Sequence, residues 1–64
     1  MKLSKLKIDI AIANSGYSMQ ELAKRAGVSR QRWNVLTNQK EIRPVCAGKI
    51  ARALGVDVTE LLED

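Results

Sequence analysis

A run of polar side chains occupies the middle of the chain, in residues 29–38. A helix turns by about 100° per residue, so a helix over this segment carries on one side Gln31, Asn34, Val35 and Asn38, flanked by Arg30 and Arg32. An amide can bond adenine through two hydrogen bonds, an arginine can bond guanine, and an aliphatic side chain can touch a thymine methyl. Together these side chains have the chemistry of a surface that reads base edges.

The opposite side of the same helix is apolar enough to be buried. Trp33 and Leu36 fall there together with the small polar residues Ser29 and Thr37. A helix with one apolar and one polar side packs its apolar side against the rest of a domain. We therefore predict that Trp33 and Leu36 point into the molecule and turn the two amides outward.

Two N-terminal caps predict a pair of short helices around this surface. Ser18 and Glu21 form an S-x-x-E capping box, in which each side chain can satisfy the other residue's backbone N–H. Gly27 stands where a helix can end in a left-handed turn, and Ser29 is a second cap after only Val28. Two helices joined by about three residues have the spacing of a helix-turn-helix.

The remaining sequence predicts three further helices in a single small domain, residues 1–64. Their predicted bounds are Leu3 or Ser4 to Asn14 for the first helix, Pro44 to Gly55 for the fourth, and Val58 to about Glu63 for the fifth. The chain has one proline and no sustained strand-like alternation, which together with the recurring caps indicates an all-α class. We expect a compact five-helix bundle with a central helix-turn-helix.

The first predicted helix is apolar on two sides. Ile8, Ala11 and Ile12 form one face, and a second face consists of Leu3, Leu6, Ile10 and Ala13. A helix of this kind is either deeply packed or packs on a partner. The favoured expectation is that the second face meets the last helix, through Leu61 and Leu62; the alternative is a surface for self-association.

Two segments carry a family resemblance when they are taken together. ELAKRAGVSRQRWNVL, followed by the proline of EIRP and then by IARALGVDVTELL, resembles the phage-repressor and Cro-like (XRE-type) helix-turn-helix family of phages and bacteria. The resemblance covers roughly Ile8 to Leu62. It implies a lambda-repressor-like DNA-binding domain whose third helix enters the major groove. A protein of this kind would be a sequence-specific regulator of transcription, a repressor, acting on double-stranded DNA.

The resemblance and the helix geometry together assign roles to ten residues. The expected base-reading residues are Ser29, Arg30, Gln31, Asn34 and Val35; Arg30 is suited to a base or to a phosphate. The expected phosphate contacts are Gln20, Arg32, Asn38, Lys40 and Arg43. For the loop residues Lys40 and Arg43, the alternative is a pair of solvated charges.

The chain departs from the family pattern at several positions. Met19 replaces a glutamine that often bonds phosphate, and is expected to pack. Ile12 and Thr37 stand where many relatives place an Arg–Glu ion pair; changing both members of a buried pair is tolerable. Gln39 replaces a turn glycine, and Asn38 can take up the left-handed conformation that a turn there would need.

The charges are distributed unevenly along the chain. All eleven Lys and Arg lie in residues 1–56 against three acidic residues, a balance of 11 − 3 = +8, whereas residues 57–64 hold four acidic residues, or −4. A basic body attracts polyanions such as double-stranded DNA, although a solvated surface can have the same balance.

The resemblance places the fifth helix at a dimer contact and makes Val58 a candidate interface residue, with an exposed valine as the alternative. We expect a weak homodimer, or one formed on DNA, with recognition helices about 34 Å apart.

Several classes of function are disfavoured by the composition. The chain has no histidine, no nucleophile–base pair and no glycine-rich phosphate loop, so we expect no enzyme and no cofactor. Cys46 has no second cysteine or histidine near it to complete a metal site, and a single cysteine points to a reducing interior. Residues 1–14 are too short and too charged for a membrane span or a secretory signal. We expect a cytoplasmic, nucleoid-associated protein.

Two other functions remain open from the sequence. The first is a protein-interaction module, such as an antitoxin or an adaptor, because a fold does not determine its function. The two-sided first helix and the acidic tail could bind such a partner, whereas the polar, Arg-flanked face of the third helix disfavours this reading. The second is an architectural or recombination DNA-binding protein, which would use the same surface.

Overall fold

The computed structural model describes residues 1–63. Within them the chain forms four α-helices and one short 3₁₀ turn: α1 (Lys5–Ser15), α2 (Met19–Ala26), α3 (Arg30–Asn38), α4 (Pro44–Leu54) and the turn Val58–Leu61. No strand is present in this part of the chain, only an isolated antiparallel bridge between Leu3 and Leu62. The all-α class is confirmed.

The prediction of a fifth helix reaching Glu63 is wrong. Only Val58–Leu61 is helical, as a 3₁₀ turn, and Leu62 is extended, with φ −67° and ψ 140°. The reason is that the backbone after the turn is bonded to the start of the chain. Ser4 N–H donates to the Leu61 carbonyl at 2.7 Å, and Glu63 N–H donates to the Lys2 carbonyl at 3.0 Å.

The start of the chain is therefore extended rather than helical, and α1 begins later than its earliest predicted start. Ser4 is the N-cap, and its Oγ accepts a hydrogen bond from the Lys7 N–H at 3.2 Å. Gly16 ends the helix with a φ of 71°. Leu3 lies outside the helix and is buried, so it is not part of an α1 surface.

The favoured expectation for the second apolar face of α1 holds for Leu3, which pairs with Leu62, but it is wrong for the part of the face that lies on the helix. Leu6 is 69% exposed and Ile10 is 51% exposed. Lys7 forms a hydrogen bond with the C-terminal segment, in which its Nζ donates to the Leu62 carbonyl at 2.9 Å. The last element is too short to cover two faces of α1, and Leu61 is buried in the core.

The core lies between the four helices and is almost entirely aliphatic. Its largest fully buried side chains are Trp33, Ile8, Leu22, Ile50 and Leu61. Alanines fill much of the remaining space, chiefly on α4, where small side chains let neighbouring helices approach closely. A chain of this size buries only about 60% of its unfolded surface, so each large core residue accounts for much of the stability.

Two carboxylates cap the starts of elements. Ser18 N–H donates to Glu21 Oε1 at 2.9 Å, and Thr59 N–H donates to Asp57 Oδ1 at 2.9 Å. These backbone hydrogen bonds favour the ionised form. They lower the pKa of Glu21 below its ordinary value of 4.5 and the pKa of Asp57 below 3.8.

Neighbouring residues on α3 should differ sharply in their effect on folding. Leu36→Ala removes a buried side chain and should lower the free energy of unfolding by about 2–5 kcal/mol. Val35→Ala removes a side chain that is 49% exposed and should change it by less than about 0.5 kcal/mol. Urea unfolding followed by circular dichroism measures both. Equal losses for the two variants would contradict the orientation of α3.

The capping carboxylate of α2 should make stability depend on pH. Because the pKa of Glu21 is lower in the folded state, its stabilising contribution is fully present above 4.5 and is lost as the pH falls through the folded-state value. Glu21→Gln can keep the capping hydrogen bond but does not titrate. The thermal midpoint of the variant should therefore fall less than that of the native chain between about pH 6 and pH 3. The control is Glu63→Gln, which removes a carboxylate that caps no element. If the thermal midpoint of Glu21→Gln fell with pH as much as that of the native chain, the prediction would be contradicted.

Candidate nucleic-acid interface

The turn between α2 and α3 is held by backbone hydrogen bonds around one glycine. Gly27 has a φ of 75°, in the left-handed region that favours glycine. Its N–H donates to the Lys24 carbonyl at 3.1 Å, and the Val28 N–H donates to the Ala23 carbonyl at 3.0 Å. These bonds satisfy the last carbonyls of α2 and allow α3 to begin at once. The predicted helix-turn-helix is confirmed.

The start of α3 is capped by Ser29. Its Oγ accepts a hydrogen bond from the Arg32 N–H at 3.0 Å, as the sequence predicted. The hydroxyl proton of Ser29 is still available to an outside acceptor, so capping leaves room for the DNA contact expected of this residue. Arg30 follows in the first turn and is exposed.

The two sides of α3 have the orientation that the sequence predicted. Trp33 is 0% exposed, and Leu36 and Thr37 are buried beside it. The Thr37 hydroxyl donates to the Trp33 carbonyl at 3.0 Å, so this buried polar group is satisfied within its own helix. The amides of Gln31 and Asn34 are exposed on the other side. The burial of Trp33 thus determines which side chains of α3 meet the solvent.

All ten residues expected at the interface are exposed. Exposure leaves their roles on DNA as predictions, but the structure shows which of them lie together. Gln20 and Arg30 line one shallow depression, between α2 and α3. Arg32 and Arg43 line another, at the start of α4. The two depressions give the outer surface of α3 a basic residue on each side.

The N-terminus of α4 adds backbone donors to the second depression. Arg43 is the N-cap residue of this helix, and no side chain caps it. Pro44 has no N–H, so the donors left in the first turn are those of Val45 and Cys46. Free N–H groups and the positive end of the helix dipole favour an anion, whereas Glu41, which lines the same depression, opposes one. Arg43 stands beside these N–H groups.

Two of the expected phosphate contacts, Asn38 and Lys40, do not line either of these depressions. The Asn38 amide nitrogen donates to the Asn34 carbonyl at 2.7 Å, which closes the last turn of α3. Lys40 lines a separate depression with Asn38 and with Lys2 and Lys5 from the start of the chain. These two residues line a different depression from Arg32 and Arg43, and Gln39 borders both depressions.

Sequence reasoning missed three cations. Lys24 lies in the depression with Gln20 and Arg30, and Lys2 and Lys5 lie in the one with Lys40. Helical spacing could have indicated Lys24, since it follows Gln20 by four residues on α2. Nothing in the sequence pairs Lys2 with residue 40, because the extended start of the chain brings them together.

The departures from the family pattern are accommodated in different ways. Met19 is partly buried and packs against the core, as expected, and Ile12 does the same. The left-handed turn considered at Asn38 does not form. Asn38 is the last residue of α3, Gln39 is extended with φ −74° and ψ 138°, and every described residue with a positive φ is a glycine. The side-chain bond from Asn38 replaces the capping that a glycine would provide.

Other kinds of site find little support in residues 1–63. No group of three or more potential metal ligands occurs among them, and Cys46 is a half-buried free thiol. Val58 is partly buried and packs against the core. No helix in this part of the chain has the length and apolar character needed to cross a membrane.

Comparison with known proteins gives one family and one solved structure. The family model for the Cro/C1-type HTH DNA-binding domain matches residues 7–64. No curated protein matches the chain. The solved structure titled "Native PhpD with Cadmium Atoms" is 23% identical, with a TM-score of 0.77. It matches over 100% of this chain but only 14% of its own length, so a similar fold occurs there as one part of a longer protein.

The family match covers nearly the whole chain and includes α2, the turn and α3. The solved structure supports the fold alone. Three structural features agree with the family match: the helix-turn-helix geometry, the buried Trp33 and the polar surface of α3. The chain belongs to the family of Cro/C1-type helix-turn-helix DNA-binding domains.

Proposed function

We propose that this DNA-binding domain is a sequence-specific regulator of transcription, a repressor, that inserts α3 into the major groove of double-stranded DNA. The observation that carries the proposal is the exposed row of Gln31, Asn34 and Val35 above a fully buried Trp33. The major groove of B-DNA is wide enough to admit an α-helix, and it presents donors, acceptors and thymine methyls that these side chains can read.

Base recognition is assigned to the first two turns of α3. Gln31 and Asn34 offer amides for adenine, Val35 offers an aliphatic surface for a thymine methyl, and Arg30 offers a guanidinium for guanine or a phosphate. Ser29, at the cap, can donate its hydroxyl proton to a base or a phosphate. N-terminal residues of a recognition helix make such contacts in this class of protein.

Phosphate contacts are assigned to the two sides of α3. On one side, Gln20 and Arg30 line a depression together with Lys24. On the other side, Arg32 and Arg43 line a depression at the uncapped start of α4. Lys40, which follows α3, extends the basic surface toward Lys2 and Lys5, and Asn38 at the end of α3 adds an amide there. A helix lying in the major groove has a phosphate backbone on each side. Cations on both sides of α3 are therefore in suitable places to contact phosphates.

The regulator would act as a weak homodimer or as a dimer assembled on DNA, in the cytoplasm at the nucleoid. Paired recognition helices read half-sites about one DNA turn apart. We propose no enzymatic activity, because the chain has no histidine and because Glu21 and Asp57 are occupied in capping. An architectural or recombination role would use the same surface on DNA.

A protein-interaction module, such as an antitoxin or adaptor, is the second candidate. The exposed Leu6 and Ile10 support it, since apolar side chains on a surface often mark a contact between proteins. The polar outer surface of α3 favours DNA instead. Co-purification with an unrelated protein, together with no DNA affinity at low salt, would support the second candidate.

Loss of an amide on α3 should weaken binding to the preferred DNA sequence. The site is first identified by selecting bound sequences from a random duplex pool. Gln31→Ala or Asn34→Ala should then cost about 1–3 kcal/mol on that site and relax the preference at one position. Binding to random DNA should change much less. The matched control is Asn14→Ala, which removes an exposed amide from α1. It is measured on a duplex that carries a single half-site, where it should leave the affinity unchanged. An equal loss on selected and random DNA would contradict base reading.

Loss of an arginine at the start of α4 should weaken binding to every sequence alike. Arg43→Gln removes one phosphate contact, so the slope of log affinity against log salt concentration should become shallower by about 0.9. Arg52→Gln is the control, because it makes the same charge change in an exposed arginine at the other end of α4. Equal slopes for the two variants would show that Arg43 makes no phosphate contact.

A further inference from the structure

The first residues of the chain form an extended segment that pairs with the C-terminal segment. We call residues 1–4 the strap. Leu3 lies opposite Leu62 in an antiparallel bridge. On one side of this bridge the Leu61 carbonyl accepts a hydrogen bond from the strap, and on the other side the Glu63 N–H donates one to the strap. The strap is therefore fixed to the C-terminal segment by its main chain and by the buried side chain of Leu3.

The strap is also bonded to the loop between α3 and α4, residues 39–43. The Ile42 N–H donates to the Met1 carbonyl at 2.9 Å, and the Ile42 side chain is buried. Within residues 1–63, this is the one main-chain hydrogen bond that ties the loop to anything other than the two helices that it joins. The Met1 amino group also lies 3.0 Å from Glu41 Oε1, but the Glu41 side chain is largely exposed, and exposed ion pairs contribute little to stability.

The loop carries two of the cations that the proposed function assigns to DNA phosphates, Lys40 and Arg43. Arg43 is also the N-cap residue of α4, so the position of the loop determines where the first free N–H groups of that helix lie. The strap thus joins two parts of the molecule with different roles. One is the C-terminal segment, to which we assign no contact with DNA, and the other is a loop at the proposed interface.

The strap can open while the helices stay folded. It is held by three main-chain hydrogen bonds, one buried side chain and a bridge of a single residue pair. Each helix, by contrast, is held by consecutive hydrogen bonds along its length and by a share of the core. A pairing with so few contacts opens locally at a lower free energy than that of unfolding the whole domain.

We infer that the strap is a conformational device that couples the C-terminal segment to DNA binding. With the strap closed, the hydrogen bond between Met1 and Ile42 holds the loop so that Lys40 and Arg43 reach phosphates. With the strap open, the loop loses this anchor and the affinity for DNA falls. A partner that draws residues 61–63 away from the strap would therefore lower the affinity of the domain for DNA.

The coupling acts in both directions. If DNA binds the closed state more tightly than the open state, bound DNA must favour the closed strap by the same factor. The inference rests on the proposed function for its effect on DNA. The connection between the two sides of the strap, however, can be measured on the free protein.

Hydrogen exchange of the Ile42 N–H, followed by NMR without DNA, measures how often the strap opens. Glu63→Pro removes the N–H that bonds the strap to the C-terminal segment. Leu62, with φ −67° and ψ 140°, already has the conformation of a residue that precedes a proline. The matched control is Glu63→Ala, which removes the same carboxylate and keeps the N–H.

Exchange at Ile42 should be about twofold to tenfold faster in Glu63→Pro than in Glu63→Ala, which is the effect expected of one main-chain hydrogen bond. The reason is that a bond lost on one side of the strap loosens the bond on its other side. Exchange at Asp57, whose N–H donates to Glu60 Oε2 outside the strap, should be equal in the two variants.

A disulfide across the bridge tests the effect on DNA. The residues that flank Leu3 and Leu62 form the hydrogen bonds, and in such a pair the Cα atoms lie about 4.5 Å apart, within the range that a disulfide spans. In a Cys46→Ser background, Leu3→Cys/Leu62→Cys therefore gives one chain in two states. The reduced form lacks both leucine side chains and has a loosened strap, whereas the oxidised form holds the strap closed.

The oxidised form should bind the selected DNA site at least about fivefold more tightly than the reduced form, because binding is weakened by the fraction of open molecules. Both forms are measured at a temperature at which circular dichroism shows them to be folded. The control is Leu3→Cys alone in the same Cys46→Ser background, and its affinity should not respond to oxidation.

Equal exchange at Ile42 in Glu63→Pro and Glu63→Ala would overturn the inference, because the strap would then not connect the two segments. Equal DNA affinity of the oxidised and reduced forms would also overturn it, as would a disulfide that fails to close in the folded chain. If neither form bound DNA even at low salt, the proposed function would fail instead, and exchange at Ile42 would still decide whether the strap connects the loop to the C-terminal segment.

Discussion

The burial of Trp33 is the constraint on which the proposed interface depends. Its indole ring is fully enclosed, and a helix has no freedom to rotate about its axis once its largest side chain is fixed in a packed core. The amides of Gln31 and Asn34 are thereby held outward. The polar chemistry on the exposed side of α3 thus follows from a packing interaction on its other side.

Short-range hydrogen bonds place α3 along the chain, whereas the core sets its rotation. The capping box at Ser18, the left-handed Gly27 and the cap at Ser29 determine where α2 and α3 begin and end. Each is a local interaction between residues a few positions apart. A domain of 64 residues has a limited core, so its fold depends strongly on caps that determine where each helix begins and ends. The carboxylates of Glu21 and Asp57 form capping hydrogen bonds, which accounts for them without a functional role.

The surface separates into regions of different character. Basic residues border α3 on both sides, whereas α1 exposes the aliphatic side chains of Leu6 and Ile10. The surface that we propose to bind DNA and this aliphatic surface therefore belong to different helices.

The sequence by itself determined the all-α class, the bounds of α2 and α3 and the outward side of α3, because caps and the spacing of Trp33 and Leu36 act within single helices. Tertiary structure decided what happens at the two ends of the chain. Residues 61–63 form hydrogen bonds with the first residues instead of continuing a helix, and this pairing joins positions about sixty residues apart, which no local pattern encodes. It also directs Lys7, rather than Leu6, toward the C-terminal segment. Whether an apolar face is covered depends on such long-range contacts, so the exposure of Leu6 and Ile10 was decided only in the folded molecule.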